Sequence, residues 1–197
     1  MGETMNKLER KIVEEGQVLP GNILKVDHFI NHMIDTELFQ DMGQEFYDVF
    51  KKAGVTKILT LEVSGIALAY AAAIHFKVPV LFAKKIQSLT LGNDVYTSRV
   101  YSYTKQKSYH IVVDRKYILP EDRVLIIDDF LANGEALKGL IDLCDQAGSQ
   151  VVGVGIGIEK AFQPGGKNFR EKGYKVHSVA RIQGFSGNKV IFCPKDE

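Results

Sequence analysis

Residues 124–140 read Val-Leu-Ile-Ile-Asp-Asp-Phe-Leu-Ala-Asn-Gly-Glu-Ala-Leu-Lys-Gly-Leu. Four apolar residues, Val124 to Ile127, predict a short buried strand. Two adjacent carboxylates, Asp128 and Asp129, stand where that strand is expected to end. The small-residue loop Leu131-Ala132-Asn133-Gly134 follows and leads into an amphipathic helix. This order builds an anion site, because the first turn of a helix has N–H groups without internal partners and carries the positive end of the macrodipole. Small residues let a phosphate approach the backbone. A phosphate alone gains nothing from two acids beside it. A sugar phosphate does, since carboxylates accept hydrogen bonds from ribose hydroxyls.

Outward from this stretch the chain alternates strands and helices. An N-terminal helix over residues 3–15 has Leu8, Ile12 and Val13 as apolar positions and stops at Gly16. Residues 17–31 read as irregular. Asp35-Thr36 caps a second helix running to about Lys52, with Leu38, Phe39, Met42, Phe46, Val49 and Phe50 at helical spacing. Ile58 to Leu61 and Val78 to Phe82 read as strands flanking an alanine-rich helix, Ile66 to Phe76. Val151 to Ile158 is the last strand of the pattern, with Gly153, Gly155 and Gly157 on one face, which invites close approach of another segment. Such alternation predicts an α/β fold, a parallel sheet with helices on both faces. The regularity breaks over 86–116, where Val100 to Tyr103 and Tyr109 to Val113 are candidate arms of a hairpin. So long an excursion in a compact domain is usually functional.

Ligands collect beyond the carboxyl ends of parallel strands. Three further segments are expected there. Glu62-Val63-Ser64-Gly65 makes a second small-residue turn at a helix N-terminus, readable as a plain cap or as a second anion site. Lys84 and Lys85 follow the strand Val78–Phe82, as solvated cations or as anion partners. Lys160 and Phe162 follow the glycine strand. There a lysine can read a carbonyl and an aromatic face can stack on a flat base.

Strand, acid pair, loop and helix in this order resemble the ribose-phosphate motif of the type I phosphoribosyltransferases. Those enzymes join a nitrogenous base to phosphoribosyl pyrophosphate (PRPP) and release pyrophosphate. The family loop commonly carries Thr or Ser at its tip and at the helix start. Here Asn133 and Ala136 hold those places, and Glu135 stands where Gly is common, so the backbone N–H groups remain as phosphate donors. Three segments resemble the xanthine branch of the family: the Ala-Asn-Gly-x-Ala loop, Glu159-Lys160-Ala161-Phe162-Gln163-Pro164, and residues 21–32, Gly-Asn-Ile-Leu-Lys-Val-Asp-His-Phe-Ile-Asn-His. The likeness runs from Leu8 to Val190.

The resemblance implies a type I phosphoribosyltransferase fold in a single domain, 1–197. It has a mainly parallel twisted sheet, a small hood built from about 17–34 and 159–197, and a flexible active-site loop at about 86–108. It implies transfer of the phosphoribosyl group to xanthine, giving xanthosine 5′-monophosphate (XMP) and pyrophosphate in purine salvage. Asp128 and Asp129 would be the catalytic pair. Ala132, Asn133, Gly134, Glu135, Ala136, Glu62, Ser64, Gly65, Lys84 and Lys85 would bind PRPP. Leu24, Asn31, Lys160 and Phe162 would bind xanthine, Asn31 selecting an oxopurine through its amide. Mg²⁺ would be held mainly by PRPP oxygens, with Asp128 or Asp129 reached through water. The family also suggests a homodimer.

With 25 basic and 24 acidic residues the net charge is +1, so no global field draws the chain to nucleic acid or membrane. The start of the chain lacks the apolar run of a signal peptide, no apolar run is long enough to span a bilayer, and a cytoplasmic protein is expected. Cys144 falls on an apolar helix stripe and reads as a buried thiol. The five histidines form no zinc pattern. Gly165-Gly166-Lys167 lacks the spacing and preceding strand of a Walker loop. Two rivals stand beside the xanthine reading. One is a guanine/hypoxanthine enzyme of the same fold. The other is a non-catalytic PRPP sensor binding nucleic acid, for which Tyr101, Tyr103, Lys105, Lys107 and Tyr109 would supply a weak RNA face.

Overall fold

The computed structural model describes residues 5–86, 94–102 and 106–194. Helix α1 (Lys7–Glu15) begins later than residue 3 because Asn6 caps it, in a reciprocal capping box with Glu9. The segment read as irregular holds a small hairpin, β1 (Gln17–Leu19) with β2 (Ile23–Lys25), and a single π turn, Asp27–Asn31. Helix α2 (Thr36–Phe50) is capped by the Asp35 carboxylate, which accepts from the Leu38 N–H at 3.0 Å. Then follow β3 (Lys57–Leu61), α3 (Gly65–Phe76), β4 (Val80–Ile86), β5 (Val95–Ser102), β6 (Lys107–Asp114), β7 (Arg123–Leu131), α4 (Glu135–Ala147), β8 (Gln150–Lys160), α5 (Pro164–Glu171), β9 (Val176–Ser186) and β10 (Lys189–Phe192).

The main sheet has the order β10-β9-β8-β7-β3-β4-β6-β5. Its centre, β9-β8-β7-β3-β4, is parallel, as the alternation predicts. Both edges are antiparallel. On one side the excursion forms the β5–β6 hairpin, with arms longer than expected, and β6 docks on β4. On the other, β9 and β10 extend the sheet with residues 176–192 of the expected hood. Strand β9 carries His177, Ser178, Arg181 and Gln183 among its apolar residues, which hides its period in the sequence. Residues 87–93 and 103–105 lie outside the described residues, so Tyr103, Lys105 and part of the expected flexible loop are not placed.

Helices cover both faces. On one, α1, α2 and α3 pack over Ile58, Leu125, Ile127 and Ile158. On the other, α4 and α5 pack over Leu59, Ile126, Val154 and Ile156. The glycine face of β8 does what its pattern implies. A Cβ on Gly153 would come within 2.3 Å of the Phe50 ring, and one on Gly155 within 2.9 Å of Phe46. Two fully buried phenylalanines of α2 therefore lie directly on the strand. Each is worth about 3–5 kcal/mol against truncation to alanine.

Candidate active site

Strand β7 does not stop at Ile127. It runs to Leu131, because β8 continues beside it and pairs as far as Leu131 with Glu159. Asp128 and Asp129 thus lie inside the strand rather than after it, and both are buried. The Asp128 Oδ1 accepts from the Asp129 N–H at 3.1 Å. Burial first, and the Asp129 carboxylate beside it second, push the Asp128 acid well above the usual carboxylate range, while Lys85 pulls it back. A cation or a sugar hydroxyl arriving here meets carboxylate oxygens with unfilled acceptor capacity.

Ala132, Asn133 and Gly134 follow at once. Gly134 adopts φ +88°, which turns the chain into α4, and no side chain caps the helix. The start of α4, whose first-turn N–H groups have no partners within the helix, borders a cavity of about 310 Å³ lined by residues 132–136 together with Tyr101, Tyr109, Phe130, Lys160 and Gln163. The wall of the loop is a pair of glycines. The Gly165 N–H donates to the Ala132 carbonyl at 3.1 Å. A Cβ on Gly165 would lie 2.3 Å from that oxygen, and one on Gly134 would lie 2.7 Å from the Phe169 ring. Gly165 was read in the sequence only as a failed Walker loop. Its contact with Ala132 is tertiary and leaves no local pattern.

Glu62, Ser64 and Gly65 form the second turn. The Glu62 Oε1 accepts from the Lys85 N–H at 2.6 Å, which ties the turn to β4. The Glu62–Val63 peptide is cis. Ser64 precedes α3 without a side-chain capping bond, so its hydroxyl and the helix N-terminus can serve an anion. Gly65 lies against Thr60 and Asp128. A Cβ there would come 2.1 Å from Thr60 Oγ1 and 3.1 Å from Asp128 Oδ1. The second turn and the acid pair therefore meet.

Lys84 and Lys85 were expected after a strand ending at Phe82. They lie within β4, which continues to Ile86 because β6 pairs with its second half, Lys84 opposite Val112 and Lys85 opposite Ile111. Neighbours on a strand point to opposite faces, so the two lysines project from opposite sides of β4. Lys85 is on the site side, its ammonium 5.6 Å from the Tyr109 ring centroid. Burial, then the Asp128 charge, raise the Tyr109 hydroxyl above its ordinary value.

At the other end of the cavity, the Lys160 ammonium donates to the Asn22 carbonyl at 3.2 Å. Burial pulls its pKa below the ordinary lysine value. Lys160 is the last residue of β8 rather than one beyond it. Phe162 is partly exposed and packs edge-on against Phe185, centroids 5.7 Å apart. Leu24 is buried among Val26 and Phe29, pointing inward on β2, and Asn31 is exposed at the end of the π turn. Of the four expected base contacts only Lys160 lines the cavity with the 132–136 loop. Tyr101, Tyr109 and Gln163 line it too, and no local pattern in the sequence marks them for this site. Tyr101 and Tyr109 of the candidate RNA face thus line this cavity, while Tyr103 and Lys105 lie outside the described residues. The Gln163 Oε1 is buried without a hydrogen-bond partner among the described residues.

Beneath Lys160 lies an ion-pair network. Glu159 is 1% exposed. Arg170 donates to both its oxygens at 2.7 Å, and Ser178 Oγ donates to Oε2 at 2.5 Å. Burial opposes ionisation of Glu159, but these bonds outweigh it and hold the carboxyl below its usual range. Among the described residues no three His, Cys, Asp or Glu side chains converge into a metal cage. The acid pair offers two hard carboxylate donors, which suits a cation whose remaining ligands are phosphate and sugar oxygens.

The family described as phosphoribosyl transferase domain matches residues 35–186. The chain is 58% identical over 188 residues to the xanthine phosphoribosyltransferase of Finegoldia magna, covering 95% of this chain and 99% of that one. It is 50% identical over 192 residues to the enzyme of the same name from Lactiplantibacillus plantarum, covering 98% of each. Among solved structures it resembles adenine phosphoribosyltransferase from Trypanosoma brucei, in complex with AMP, pyrophosphate and ribose-5-phosphate. That likeness has a TM-score of 0.72 at 19% identity, over 89% of this chain and 80% of that one. The adenine phosphoribosyltransferase of Rhodothermus marinus gives a TM-score of 0.69 at 22% identity, over 90% of this chain and all of that one.

Proposed function

The chain belongs to the phosphoribosyltransferase family, and on that premise we propose that it acts as a pentosyltransferase, moving the 5-phosphoribosyl group of PRPP to xanthine to give XMP and pyrophosphate. The observation that carries the choice of base is identity of 50–58% to xanthine phosphoribosyltransferases over nearly the whole chain. The backbone N–H groups of Ala132 to Ala136 bind the 5′-phosphate at the start of α4. Glu62, Ser64 and Gly65 serve the pyrophosphate, with Lys85 as the nearby cation and Lys84 as a further PRPP contact. Asp128 and Asp129 accept from the ribose hydroxyls and stabilise the positive charge that develops on the sugar as pyrophosphate leaves. Lys160 reads a purine carbonyl, and Leu24, Asn31 and Phe162 complete the base pocket. Mg²⁺ bound with PRPP neutralises phosphate charge. Catalysis is then mostly positioning and electrostatics. The segment 86–108 closes over the site and keeps out water, which otherwise hydrolyses PRPP.

The enzyme works as a homodimer in the cytoplasm. Support for a covered face comes from Val63, Tyr70 and Ile74, which are exposed on and beside α3 at helical spacing. Among the described residues no helix is long and apolar enough to cross a membrane. Burial pushes the Cys144 thiol up to about 12, so it is inert.

The reaction is tested by incubating the purified protein with PRPP, Mg²⁺ and xanthine. XMP and pyrophosphate should appear in equal amounts, and chelation of the metal should stop both. PRPP binding without product would leave the non-catalytic sensor in its place.

A further inference from the structure

Thr60 is fully buried on β3, between Leu59 and Leu61, and its Oγ1 has no hydrogen-bond partner among the described residues. A buried hydroxyl left unpaired is a cost to folding, and native structures keep few of them. Valine has the same shape and suits a buried strand as well. The hydroxyl therefore works against stability unless something uses it.

Its surroundings say what does. The nearest feature is Gly65, the first residue of α3, whose missing Cβ is what makes room, since an atom there would sit 2.1 Å from Thr60 Oγ1. The same point lies 3.1 Å from Asp128 Oδ1. The hydroxyl thus stands behind the Glu62–Gly65 turn and beside the acid that meets the ribose. That oxygen accepts from the Asp129 N–H at 3.1 Å, and a carboxylate oxygen has room for a further donor. A hydroxyl can rotate to supply it.

We infer that Thr60 is a positioning residue: its hydroxyl is held idle in the ligand-free protein and donates to Asp128 when PRPP engages the acid pair and the turn. Charge gathering at Asp128 makes that bond stronger than one to a neutral acceptor. Thr60 touches neither the base nor the sugar. Its effect passes through Asp128 and is confined to PRPP. The inference rests on the PRPP reading of the site.

Two variants separate the hydroxyl from the methyl. Thr60→Val keeps the shape and drops the hydroxyl. It should melt at the same temperature as the wild type or higher, raise KM and Kd for PRPP about tenfold, and leave KM for xanthine within about twofold. Thr60→Ser keeps the hydroxyl and drops the methyl. It should melt lower and hold PRPP binding within about twofold. Thr60→Val that unfolds, or that binds and uses PRPP like the wild type, overturns the inference, as does Thr60→Ser with the greater loss of PRPP affinity. PRPP binding is read by calorimetry with Mg²⁺, independently of turnover. Wild-type protein that fails to bind PRPP would remove the reading of the site itself, whereas unchanged binding by Thr60→Val removes only the role of Thr60.

Discussion

The Lys160 ammonium reaches across 138 residues of chain to the Asn22 carbonyl, 3.2 Å away. This bond joins the end of β8 to the turn of the β1–β2 hairpin. It also holds a half-buried lysine in the wall of the cavity that the 132–136 loop lines. The β1–β2 hairpin and the wall of the cavity are therefore tied together through Lys160.

Lys160→Met keeps the apolar stem and removes the ammonium. It should raise KM for xanthine about tenfold, the worth of one polar contact, and leave KM for PRPP within about twofold. Initial rates with each substrate varied in turn decide this. An equal rise in both constants would take Lys160 out of the base pocket.

Burial first, and the neighbouring Asp129 second, disfavour the charged form of Asp128. Its folded pKa is raised above the unfolded value of 3.8. The stability it contributes is therefore full below that value and lost as pH rises through the folded pKa. Asn does not titrate, so Asp128→Asn should melt higher than the wild type at neutral pH, and the gain should shrink to nothing in acid. Replacing both Asp128 and Asp129 with Asn should cut turnover at least about 100-fold in folded protein. Melting curves across pH and single-turnover rates check the two halves separately. Unchanged turnover would remove the pair from the mechanism.

Gly165→Ala sets a methyl group 2.3 Å from the Ala132 carbonyl, so the loop or α5 must move. The expected cost is about 1–3 kcal/mol in stability and at least about tenfold in KM for PRPP. Denaturant unfolding and PRPP titration measure both. Normal PRPP affinity would show that the 5′-phosphate does not depend on this loop.

Arg170→Met leaves Glu159 buried without its bidentate partner. The loss should be about 3–5 kcal/mol at neutral pH. Glu159 has a lowered folded pKa, so its contribution is present above the unfolded value of 4.5 and lost as pH falls through the folded pKa. The deficit of the variant should therefore narrow in acid. A deficit that stays constant with pH would mean that packing, not the ion pair, carries the effect.

Proteolytic cleavage within 86–108 should slow several-fold when PRPP and Mg²⁺ are present, because closure over the site buries backbone. Equal cleavage with and without ligand would refute closure.

Local signals in the sequence carried the centre of this fold. The apolar run Val124–Ile127, the small loop after it and the α4 period together foretell strand, turn and helix. The glycines of β8 foretell the close seat of Phe46 and Phe50. What the sequence hid depends on partners far along the chain. Asp128 and Lys84 lie inside strands because β8 and β6 run on beside β7 and β4, and strand ends are set by neighbours rather than by polarity. The expected base contacts rest on family resemblance alone, and of the four only Lys160 lines the cavity. The burial of Leu24 follows from the pairing of a three-residue strand, and the roles of Gly165, Gln163, Tyr101 and Tyr109 follow from contacts with no local signature.

The most direct test offers xanthine, guanine, hypoxanthine, adenine, orotate and uracil separately to the purified protein with PRPP and Mg²⁺, and compares kcat/KM for nucleotide formation. The account predicts the highest value for xanthine, by about tenfold or more over guanine and hypoxanthine, with adenine, orotate and uracil inert. Equal or greater use of guanine or hypoxanthine would contradict it, keeping the fold and the phosphoribosyl chemistry but overturning the base assigned to the pocket around Lys160.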